Sequence, residues 1–448
     1  MKSAEQVKKD RKPLDDYVEW RYNSAVMTRP YTFLEPEEAL EIVLAQVHTL
    51  ETEQEHLPNC LHRMLATTVY ARSDEPRFRK AAMDGYAVGP GQGDRPFEVV
   101  GAIAAGDSRD PEEPAALRSD QGLRIMTGAV VPPDIERVIR FESTHKVSDP
   151  GGSATAERVR DRDQESLTNI AERGENLHRG DPLLTPRRLS AIDLGVLASQ
   201  GHWNIPVVRR PSVGVVSTGT ELISPEKPEL PAYAIYNSNG YLVAAIAREN
   251  HATVHNYGIV GDDQARITET IRTAAAKHDV VICSGGVSMG DLDFVPAALE
   301  TLGARTHFHG LAMKPGRPTL YATLGNTLIF GLPGNPVSTW AQCEMFIAPA
   351  LHALQGLAYQ PREAHLPLAH TFSRSKADRH EFVPGYYRDG SIRTIEYHGS
   401  GHISALASAT LIFRVDRGVT DLAAGDTVYA RFARPEDQLP PDFDYRQV

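Results

Sequence analysis

The chain has 448 residues, of which 41% are hydrophobic and 23% charged, and we expect a chain of this length and ordinary composition to form several globular domains. Its net charge of −11 argues against a general nucleic-acid-binding surface but allows a local basic pocket for an anionic substrate. Cys60, Cys283 and Cys343 are too far apart in sequence to indicate a metal motif or a disulfide framework.

The N-terminal region is polar. Residues 1–30 are rich in charge, and we expect a loosely ordered tail with no secretory signal. No apolar run is long enough to span a bilayer, so we expect a cytoplasmic protein with reduced thiols and no membrane partner. Helical spacing of apolar residues predicts helices over Glu35–Glu53 and Leu61–Ala71.

A β-rich region is expected next. Asp84-Gly85 is a turn signal between apolar residues, and on these residues alone a hairpin turn is a fair interpretation. Short β-like segments alternate with turns over residues 97–175. Within them, Arg124 and Thr127 could contact an anion or pair inside the sheet. Leu189–Gln200 predicts a helix that ends at Gly201.

Strands alternate with helices from residue 210 to residue 357. This pattern predicts a central doubly wound α/β domain with a parallel sheet and right-handed crossovers. Val280–Cys283 is a short, branched apolar run that is too brief for a helix, and it predicts a buried strand, as Asn326–Phe330 does. The predicted strands are Val213–Val216, Thr253–Val260, Val280–Cys283 and Asn326–Phe330, and the predicted helices are Tyr241–Arg248, Ile267–Ala275 and a segment from Ser338 towards Leu357.

Three loops at strand ends carry the residue types of a ligand site. They are the hydroxyl loop (Ser217–Glu221), the glycine turn (Ser284–Gly286) and the proline loop (Gly331–Ser338). Glycines let the backbone approach a phosphate, and a helix that follows attracts anions. Each loop alone could be a plain strand–helix connection, but loops at the carboxyl ends of parallel strands share one rim. The residues that we expect to bind ligand there are Ser217, Thr218, Gly219, Ser284, Gly285, Gly286 and Ser338.

A cation segment, Lys314–Pro318, lies between the last two of these loops. It places Lys314 and Arg317 on either side of a glycine in a stiff stretch, as an oxyanion site requires. The alternative is a solvated loop, because most charged loop residues are solvated.

Carboxylates on the same rim predict a magnesium site. Magnesium needs one or two carboxylates and substrate phosphate oxygens, and Asp262, Asp291 and Asp293 are suitably placed. The alternative is helix capping, for which Asp263 is the better candidate, so we favour Asp262 and Asp293 for metal. Glu221 in the hydroxyl loop suits a polar ligand or a hydrated cation.

The segment after residue 357 reads as a small C-terminal β domain. Its β-like runs are Glu363–Phe372, Glu381–Arg388, Leu411–Val415 and Val428–Arg434. The sequence contains no Walker loop, no Gly-x-Ser-x-Gly elbow and no Cys/His metal cluster.

Several motifs in order resemble those of the molybdopterin molybdenumtransferase family, which includes the gephyrin E domain. The resemblance runs from about residue 33 to the end, and the motifs together are highly specific. They are AMDGYAV (Ala82–Val88), RIMTGA (Arg124–Ala129), RGEN (Arg173–Asn176), STGTEL (Ser217–Leu222), IYNSNGYL (Ile235–Leu242), SGGVSMGDLD (Ser284–Asp293), MKPGRP (Met313–Pro318) and GLPGNPVS (Gly331–Ser338).

The resemblance implies a domain plan and an assembly. A discontinuous N-terminal linker domain would take residues 31–72 and 177–209, and the β-rich insert would take 73–176. The α/β molybdopterin-binding domain would take 210–357 and a barrel-like β domain 358–448. It also implies a homodimer with the site near its interface, supplied with substrate by a molybdopterin adenylyltransferase.

The resemblance also implies the reaction. Molybdate would enter the dithiolene of adenylyl-molybdopterin with release of AMP, assisted by Mg²⁺. The residues that match functional positions of the family are Asp84, Thr127, Glu221, Asp262, Asp293, Pro333 and Pro336. We expect Asp84, Thr127, Glu221 and Asp293 to act in catalysis and Glu221, Asp262 and Asp293 to bind metal. Asn239, Ser288, Pro333 and Pro336 join the expected substrate contacts.

Departures from the family pattern fall mainly on the N-terminal side. Ala171 replaces a usual arginine, Asn176 replaces an acid, and Arg79-Lys80 stands where Asp-Asn is usual. Gly310 takes the place of a frequent basic residue. These departures leave two alternatives open: a non-catalytic paralogue that acts as a scaffold, and another pyrophosphate or amide hydrolase of the same α/β superfamily.

Overall fold

The computed structural model describes residues 33–92, 95–147, 157–163, 166–288 and 293–433. Contacts divide the chain into two compact units. The terminal unit consists of Met1–Glu51 and Val208–Val448, and the insert unit consists of Thr52–Val207. The predicted tail, residues 1–30, lies outside the described residues, as does Asp291.

The insert unit is built mostly from short strands. A six-stranded sheet runs in the order Arg137–Arg140, Gly85–Val88, Gln121–Ile125, Phe97–Ile103, Arg158–Asp161 and Thr144–Lys146. Its neighbours are antiparallel except for Phe97–Ile103 and Gln121–Ile125, which are parallel. The remaining elements are the strands Thr52–His56, Val69–Tyr70, Lys80–Ala81, Ile170–Ala171, Pro182–Leu184 and Asn204–Val208, the 3₁₀ turns Leu57–Asn59 and Phe141–Ser143, and the helix Ala191–Ser199.

Gly85 opens a strand of this sheet instead of forming a hairpin turn. It pairs with Ile125 on one side and Arg140 on the other. A Cβ at Gly85 would lie 2.1 Å from the Ile139 carbonyl oxygen, so the close approach of two strands requires a glycine here.

The predicted helix over Leu61–Ala71 is wrong. Leu65 and Val69 are buried four residues apart, which imitates helical spacing. Their surroundings are strand-like, however, because the Leu65 N–H donates to the Arg187 carbonyl and the Ala66 N–H to the Pro206 carbonyl. The run Thr67-Thr68-Val69 is β-branched, which favours an extended chain.

The predicted helix over Leu189–Gln200 is confirmed as Ala191–Ser199. A capping box starts it, in which the Ser190 hydroxyl accepts from the Asp193 N–H and the Asp193 carboxylate accepts from Ser190. Its buried face includes Leu197, which packs in a small core with Leu65 and Ile205.

The first helix, Pro36–Ala45, is shorter than predicted and belongs to the terminal unit. Ala39 and Val43 are fully buried in the core of the α/β sheet. Packing therefore groups residues 33–51 with the α/β domain, whereas the predicted linker domain grouped residues 31–72 together.

The α/β sheet of the terminal unit is mixed. Its order is Thr253–Val260, Ser212–Thr218, Val280–Ser284, Thr327–Leu332, Leu320–Leu324 and Arg305–His309. The first four strands are parallel. Leu320–Leu324 is antiparallel to both of its neighbours, so the edge strand Arg305–His309 again runs in the direction of the first four. The helices of this domain are Asn239–Glu249, Gln264–Ala275, Phe294–Thr301, Pro336–Gln342 and Ala348–Leu354, with a π-helical turn at Cys343–Ile347, and Leu222–Ile223 and Ile235–Tyr236 form a separate strand pair.

Alternating side chains of the parallel strands pack into two hydrophobic cores, one on each face of the sheet. Val215, Ile282 and Phe330 pack in one core with the helix Asn239–Glu249. Val216, Cys283 and Ile329, which point to the opposite face, pack in a second core with Gln264–Ala275. Helices thus cover both faces, as a doubly wound domain requires. The predicted fold class is confirmed, with a mixed sheet in place of a wholly parallel one.

The C-terminal β domain closes into a barrel-like ring. Its sheet order is Met313–Lys314, His380–Arg388, Leu411–Val415, Thr427–Phe432 and Arg362–Pro367, and Ser391–Thr394 pairs with His380–Arg388. A bridge between Leu368, which follows the strand Arg362–Pro367, and Ile392 of the strand Ser391–Thr394 closes the ring. The domain also contains the strand pair Phe372–Ser373 with Asp421–Leu422 and the 3₁₀ segment Ile403–Ser408.

Within the described ranges, every helix is too short or too polar to cross a lipid bilayer.

Candidate functional site

The three predicted loops meet at the carboxyl ends of the parallel strands. The Gly285 N–H, in the glycine turn, donates to the Leu332 carbonyl at the start of the proline loop (3.0 Å). A Cβ at Gly334 would lie 3.8 Å from the Gly285 Cα. The strand register explains this meeting, since Ser284 is opposite both Ser217 and Leu332.

Steric fit determines the glycine turn. Gly285 and Gly286 have φ values of 91° and 64°, which side chains rarely adopt. A Cβ at Gly285 would lie 2.4 Å from the Thr218 carbonyl oxygen, and one at Gly286 would lie 2.7 Å from the Thr218 Oγ1. Both glycines are therefore required for the hydroxyl loop to pack against the turn.

Two buried oxygen atoms on the rim lack a hydrogen-bond partner within the described part of the chain. They are the Thr218 Oγ1 and the Asn239 Oδ1. The Asn239 Nδ2 donates to the Ser284 Oγ and the Gly334 carbonyl, both at 2.8 Å, so this side chain ties two loops together. Unpaired buried polar atoms cost free energy, and a polar ligand at the rim would recover it.

Asn237 is a rim residue that the sequence reasoning missed. Its Nδ2 donates to the Ser217 Oγ (2.9 Å), and its Oδ1 accepts from the Gly240 N–H (3.0 Å). It therefore fixes the hydroxyl loop to the first turn of the helix Asn239–Glu249. The Asn-Ser-Asn run before a helical segment is a capping signal that could have identified it.

The carboxylates of the rim have different surroundings. The Asp262 carboxylate accepts from the Thr220 N–H (3.0 Å) and Oγ1 (2.9 Å). Asp263 accepts from the Arg266 N–H and caps the helix Gln264–Ala275, as predicted. Asp293 precedes the helix Phe294–Thr301 without capping it through its side chain.

Glu221 is exposed, and its carboxylate folds back onto the backbone of Gly219. Nowhere in the described ranges do three or more His, Cys, Asp or Glu side chains cluster as a metal site of their own. A cation held by Glu221, Asp262 or Asp293 would thus need oxygen ligands from a substrate, which is the usual situation for Mg²⁺.

The proline loop is held from several sides. The Thr339 Oγ1 donates to the Pro333 carbonyl (2.8 Å), and Ser338 is 2% exposed. The Val337 N–H, in the first turn of the helix Pro336–Gln342, donates to the Ser400 carbonyl of the C-terminal domain (3.0 Å). One N–H that the sequence offered to an anion is therefore already occupied.

The cations of the cation segment also have partners. The Lys314 Nζ lies 2.7 Å from the Glu381 Oε1, and the Arg317 guanidinium stacks on the Phe33 ring at 4.4 Å. Glu381 is buried and also lies 3.4 Å from the Arg374 Nη1. Sequence reasoning missed Glu381, which is far from Lys314 along the chain.

Ser288 is exposed just beyond the glycine turn.

Asp84 and Thr127 lie in the insert unit, where the structure brings them together. The Asp84 Oδ1 accepts from the Thr127 N–H and Oγ1, both at 2.7 Å. The backbone bond, with the hydroxyl bond second, holds the pKa of Asp84 below its usual value. This exposed carboxylate is therefore an oriented, ionised acceptor.

Comparison with known proteins assigns the family. Family models match residues 34–201 (MoeA N-terminal region, domain I and II), 214–353 (probable molybdopterin binding domain) and 368–430 (MoeA C-terminal region, domain IV). A molybdopterin molybdenumtransferase of Staphylococcus epidermidis is 30% identical over 403 residues, covering 87% of this chain and 93% of the relative. The chain belongs to the molybdopterin molybdenumtransferase family.

Other relatives agree with this assignment. A molybdopterin molybdenumtransferase of Bacillus subtilis is 32% identical over 408 residues, covering 86% of this chain and 91% of that one. A solved structure of a molybdopterin biosynthesis MoeA protein from Pyrococcus horikoshii is 26% identical with a TM-score of 0.76, covering 90% of this chain and all of that one.

Within the molybdopterin molybdenumtransferase family, three of the residues that depart from the expected pattern, Arg79, Lys80 and Ala171, lie close together in the insert unit of this chain. Ala171 pairs with Lys80 across two short antiparallel strands. The Arg79 Nε lies 3.0 Å from the Glu172 Oε2, next to that pair. This chain thus has an ion pair where its sequence departs from the expected family pattern. The cation, Arg79, directly precedes the strand Lys80–Ala81, and the acid, Glu172, directly follows the strand Ile170–Ala171.

Proposed function

We propose that the protein is a molybdopterin molybdenumtransferase that inserts molybdate into adenylyl-molybdopterin and releases AMP. The observation that carries the proposal is the rim itself, where three loops converge near two buried oxygen atoms that have no hydrogen-bond partner among the described residues. Relatives of this name match 86–87% of the chain, which supports a common reaction.

Different rim residues bind different parts of the two substrates. The glycine turn brings backbone groups close to the pyrophosphate, and the Thr218 hydroxyl and Asn239 amide meet its polar atoms. Lys314 and Arg317 attract molybdate, and Ser338 with the prolines of its loop shapes that end of the site. Because these groups bind and orient both substrates, a molybdate oxygen or a water molecule attacks the AMP phosphorus, the pterin-side phosphate leaves, and no protein nucleophile is needed.

The carboxylates fit a magnesium ion that is completed by substrate oxygens. Asp293 and Glu221 offer exposed or half-exposed oxygen atoms on the rim, and Asp262 is oriented by Thr220. A bound Mg²⁺ would neutralise charge on the phosphate oxygens. In the insert unit, Asp84, oriented by Thr127, is proposed to act in catalysis.

The wider setting follows from the substrates. An adenylylated pterin must come from an adenylyl-transferring enzyme, so we propose handover from a molybdopterin adenylyltransferase. We also propose a homodimer and a cytoplasmic location. The three cysteines are buried and free, which agrees with a reducing compartment.

The test is AMP release from adenylyl-molybdopterin by the purified protein, with Mg²⁺ present and molybdate titrated in. Molybdate-dependent release is the expected result. Binding without release would favour a scaffold, and cleavage of free dinucleotides without molybdate would favour a hydrolase.

Asp293→Asn sharpens this test. We expect at least a 100-fold loss of turnover with an unchanged melting temperature, because a metal-ligand charge is removed from the rim. The matched control is Asp263→Asn, which alters a helix cap and should keep turnover. Wild-type AMP release by Asp293→Asn would remove Asp293 from the metal site.

A further inference from the structure

A histidine on the antiparallel edge of the α/β sheet reaches the glycine turn. His309 is the last residue of the strand Arg305–His309 and is half-buried. Its Nε2 lies 2.7 Å from the Val287 carbonyl oxygen. A carbonyl can only accept, so this geometry assigns the proton to the Nε2.

The surroundings favour the neutral ring in this arrangement. Burial lowers the pKa of His309, while the bond to Val287 and the nearby Asp293 carboxylate act in the opposite direction. A neutral imidazole with its proton on the Nε2 donates to Val287 and leaves the other nitrogen as an acceptor.

Val287 is the residue at which the chain leaves the glycine turn. It is 1% exposed, and its side chain packs against Gly331 of the proline loop. Two main-chain bonds also hold the turn, from the Gly285 N–H to Leu332 and from the Val295 N–H to Gly286. The bond from His309 is different, because a substitution can remove it without altering the backbone.

The neighbouring Gly310 lies in a confined position. Gly310 has a φ of 114°, and a Cβ there would lie 3.0 Å from the Phe33 ring, which stacks on Arg317. A side chain at position 310 would therefore be strained by this φ and would crowd the Phe33 ring.

We propose that His309 is a positioning residue for the glycine turn, whose Nε2–H holds the Val287 carbonyl so that the turn is pre-formed for phosphate. The inference rests on the proposed function, because the phosphate is that of adenylyl-molybdopterin. A pre-formed turn lowers the ordering cost of binding, so its loss weakens binding more than it slows the subsequent step.

His307 provides a matched control on the same strand. Its Nε2 lies 3.0 Å from the Thr323 Oγ1, and its ring stacks on Tyr321 with a centroid distance of 5.2 Å. It is thus a half-buried, hydrogen-bonded histidine that does not contact the glycine turn.

The experiment compares His309→Leu, His309→Gln and His307→Leu. Leucine removes the donor, whereas glutamine places an amide N–H at a similar distance from the backbone. Calorimetric binding of adenylyl-molybdopterin without molybdate should weaken about five- to tenfold in His309→Leu, the range expected for one lost hydrogen bond. Glutamine should restore most of the affinity, and His307→Leu should change it less than twofold.

Amide hydrogen exchange over residues 284–288 gives a readout that does not depend on the substrate. Faster exchange in His309→Leu, but not in His307→Leu, is the expected result. Equal exchange rates over residues 284–288 in all variants would overturn the positioning role of His309, whatever the rate of AMP release. Failure of the wild-type protein to bind the pterin adenylate would instead refute the proposed function, while the exchange result would still decide the role of His309.

Discussion

The glycine turn and the cation segment are two parts of the terminal unit that are held by different forces. Steric exclusion determines the turn, since a Cβ at Gly285 would meet the Thr218 backbone. Charge holds the cation segment, since Lys314 reaches the buried Glu381. Steric requirements are local and visible as glycines and prolines, whereas a counter-charge can come from anywhere in the chain.

Gly285→Ala tests the steric requirement of the glycine turn, and we expect it to have the largest effect on stability and activity. The clash with a backbone atom and the positive φ together should cost about 3 kcal/mol or more of unfolding free energy and abolish AMP release. Urea unfolding and turnover measure the two effects. Gly325→Ala is the control, because Gly325 also has a positive φ (58°) but has no atom within 4 Å of an added Cβ. Equal losses in both variants would show that φ, not packing, matters.

Glu381→Gln tests the charge side. It leaves the buried Arg374 side chain, 4% exposed, without its counter-charge, and we expect a loss of about 3 kcal/mol in unfolding free energy. Asp378→Asn, in an exposed pair with Arg379, should change stability by less than about 0.5 kcal/mol. An unchanged denaturation midpoint in Glu381→Gln would contradict a role of charge in holding the segment.

Glu344 adds a pH dependence to the charge side. It lies in the π-helical turn Cys343–Ile347, and the Arg431 guanidinium donates to its backbone carbonyl (2.9 Å). Burial raises the pKa of Glu344 from 4.5 to about 7, with Glu249 raising it further and Arg431 and Arg362 opposing. Because the folded state binds this proton more tightly, its contribution to stability is complete below pH 4.5 and is lost as the pH rises through about 7.

Glu344→Gln should therefore be more stable than the wild type at pH 8, by roughly 2–3 kcal/mol, and the difference should shrink towards pH 5. Unfolding by urea at several pH values checks this. The exposed Glu300→Gln serves as the control and should follow the wild-type pH profile. Superimposable profiles for Glu344→Gln and the wild type would contradict the assignment.

The smallest effect is expected in the insert unit. A double-mutant cycle on Arg79→Ala and Glu172→Ala should give a coupling of about 0.2–1 kcal/mol, because the Glu172 side chain is 58% exposed. Arg79→Ala alone should cost more, since its guanidinium also donates to the Pro132 and Ile135 carbonyls. A coupling of several kcal/mol would show that exposed charge can fix a ladder as firmly as a buried pair does.

Sequence reasoning predicted the parts whose causes are local. The strand Val280–Ser284, the cap at Asp263 and the rim loops follow from a branched apolar run, a capping carboxylate and glycines. The convergence of the loops was predictable because parallel strands place their carboxyl ends together.

Distant partners limited the prediction elsewhere. Nothing in the sequence near Lys314 or Arg79 indicates that Glu381 and Glu172 are their partners. At Leu61–Ala71 the spacing of apolar residues imitated a helix, but hydrogen bonds to the distant residues Arg187 and Pro206 make the segment extended. The close approach of strands at Gly85 could not be predicted either, because the atom that crowds Gly85 belongs to Ile139, which is distant in sequence.

The short strand Met313–Lys314 pairs with His380–Arg388 of the barrel-like domain, and a few residues later the same chain enters the α/β sheet at Leu320. One continuous backbone is thus shared by two domains. Exchanging the C-terminal domain between members of the family would replace the strand that flanks Lys314 and the carboxylate that holds it. Such a chimera would keep Lys314 paired only if the incoming domain brought its own acid at the position of Glu381.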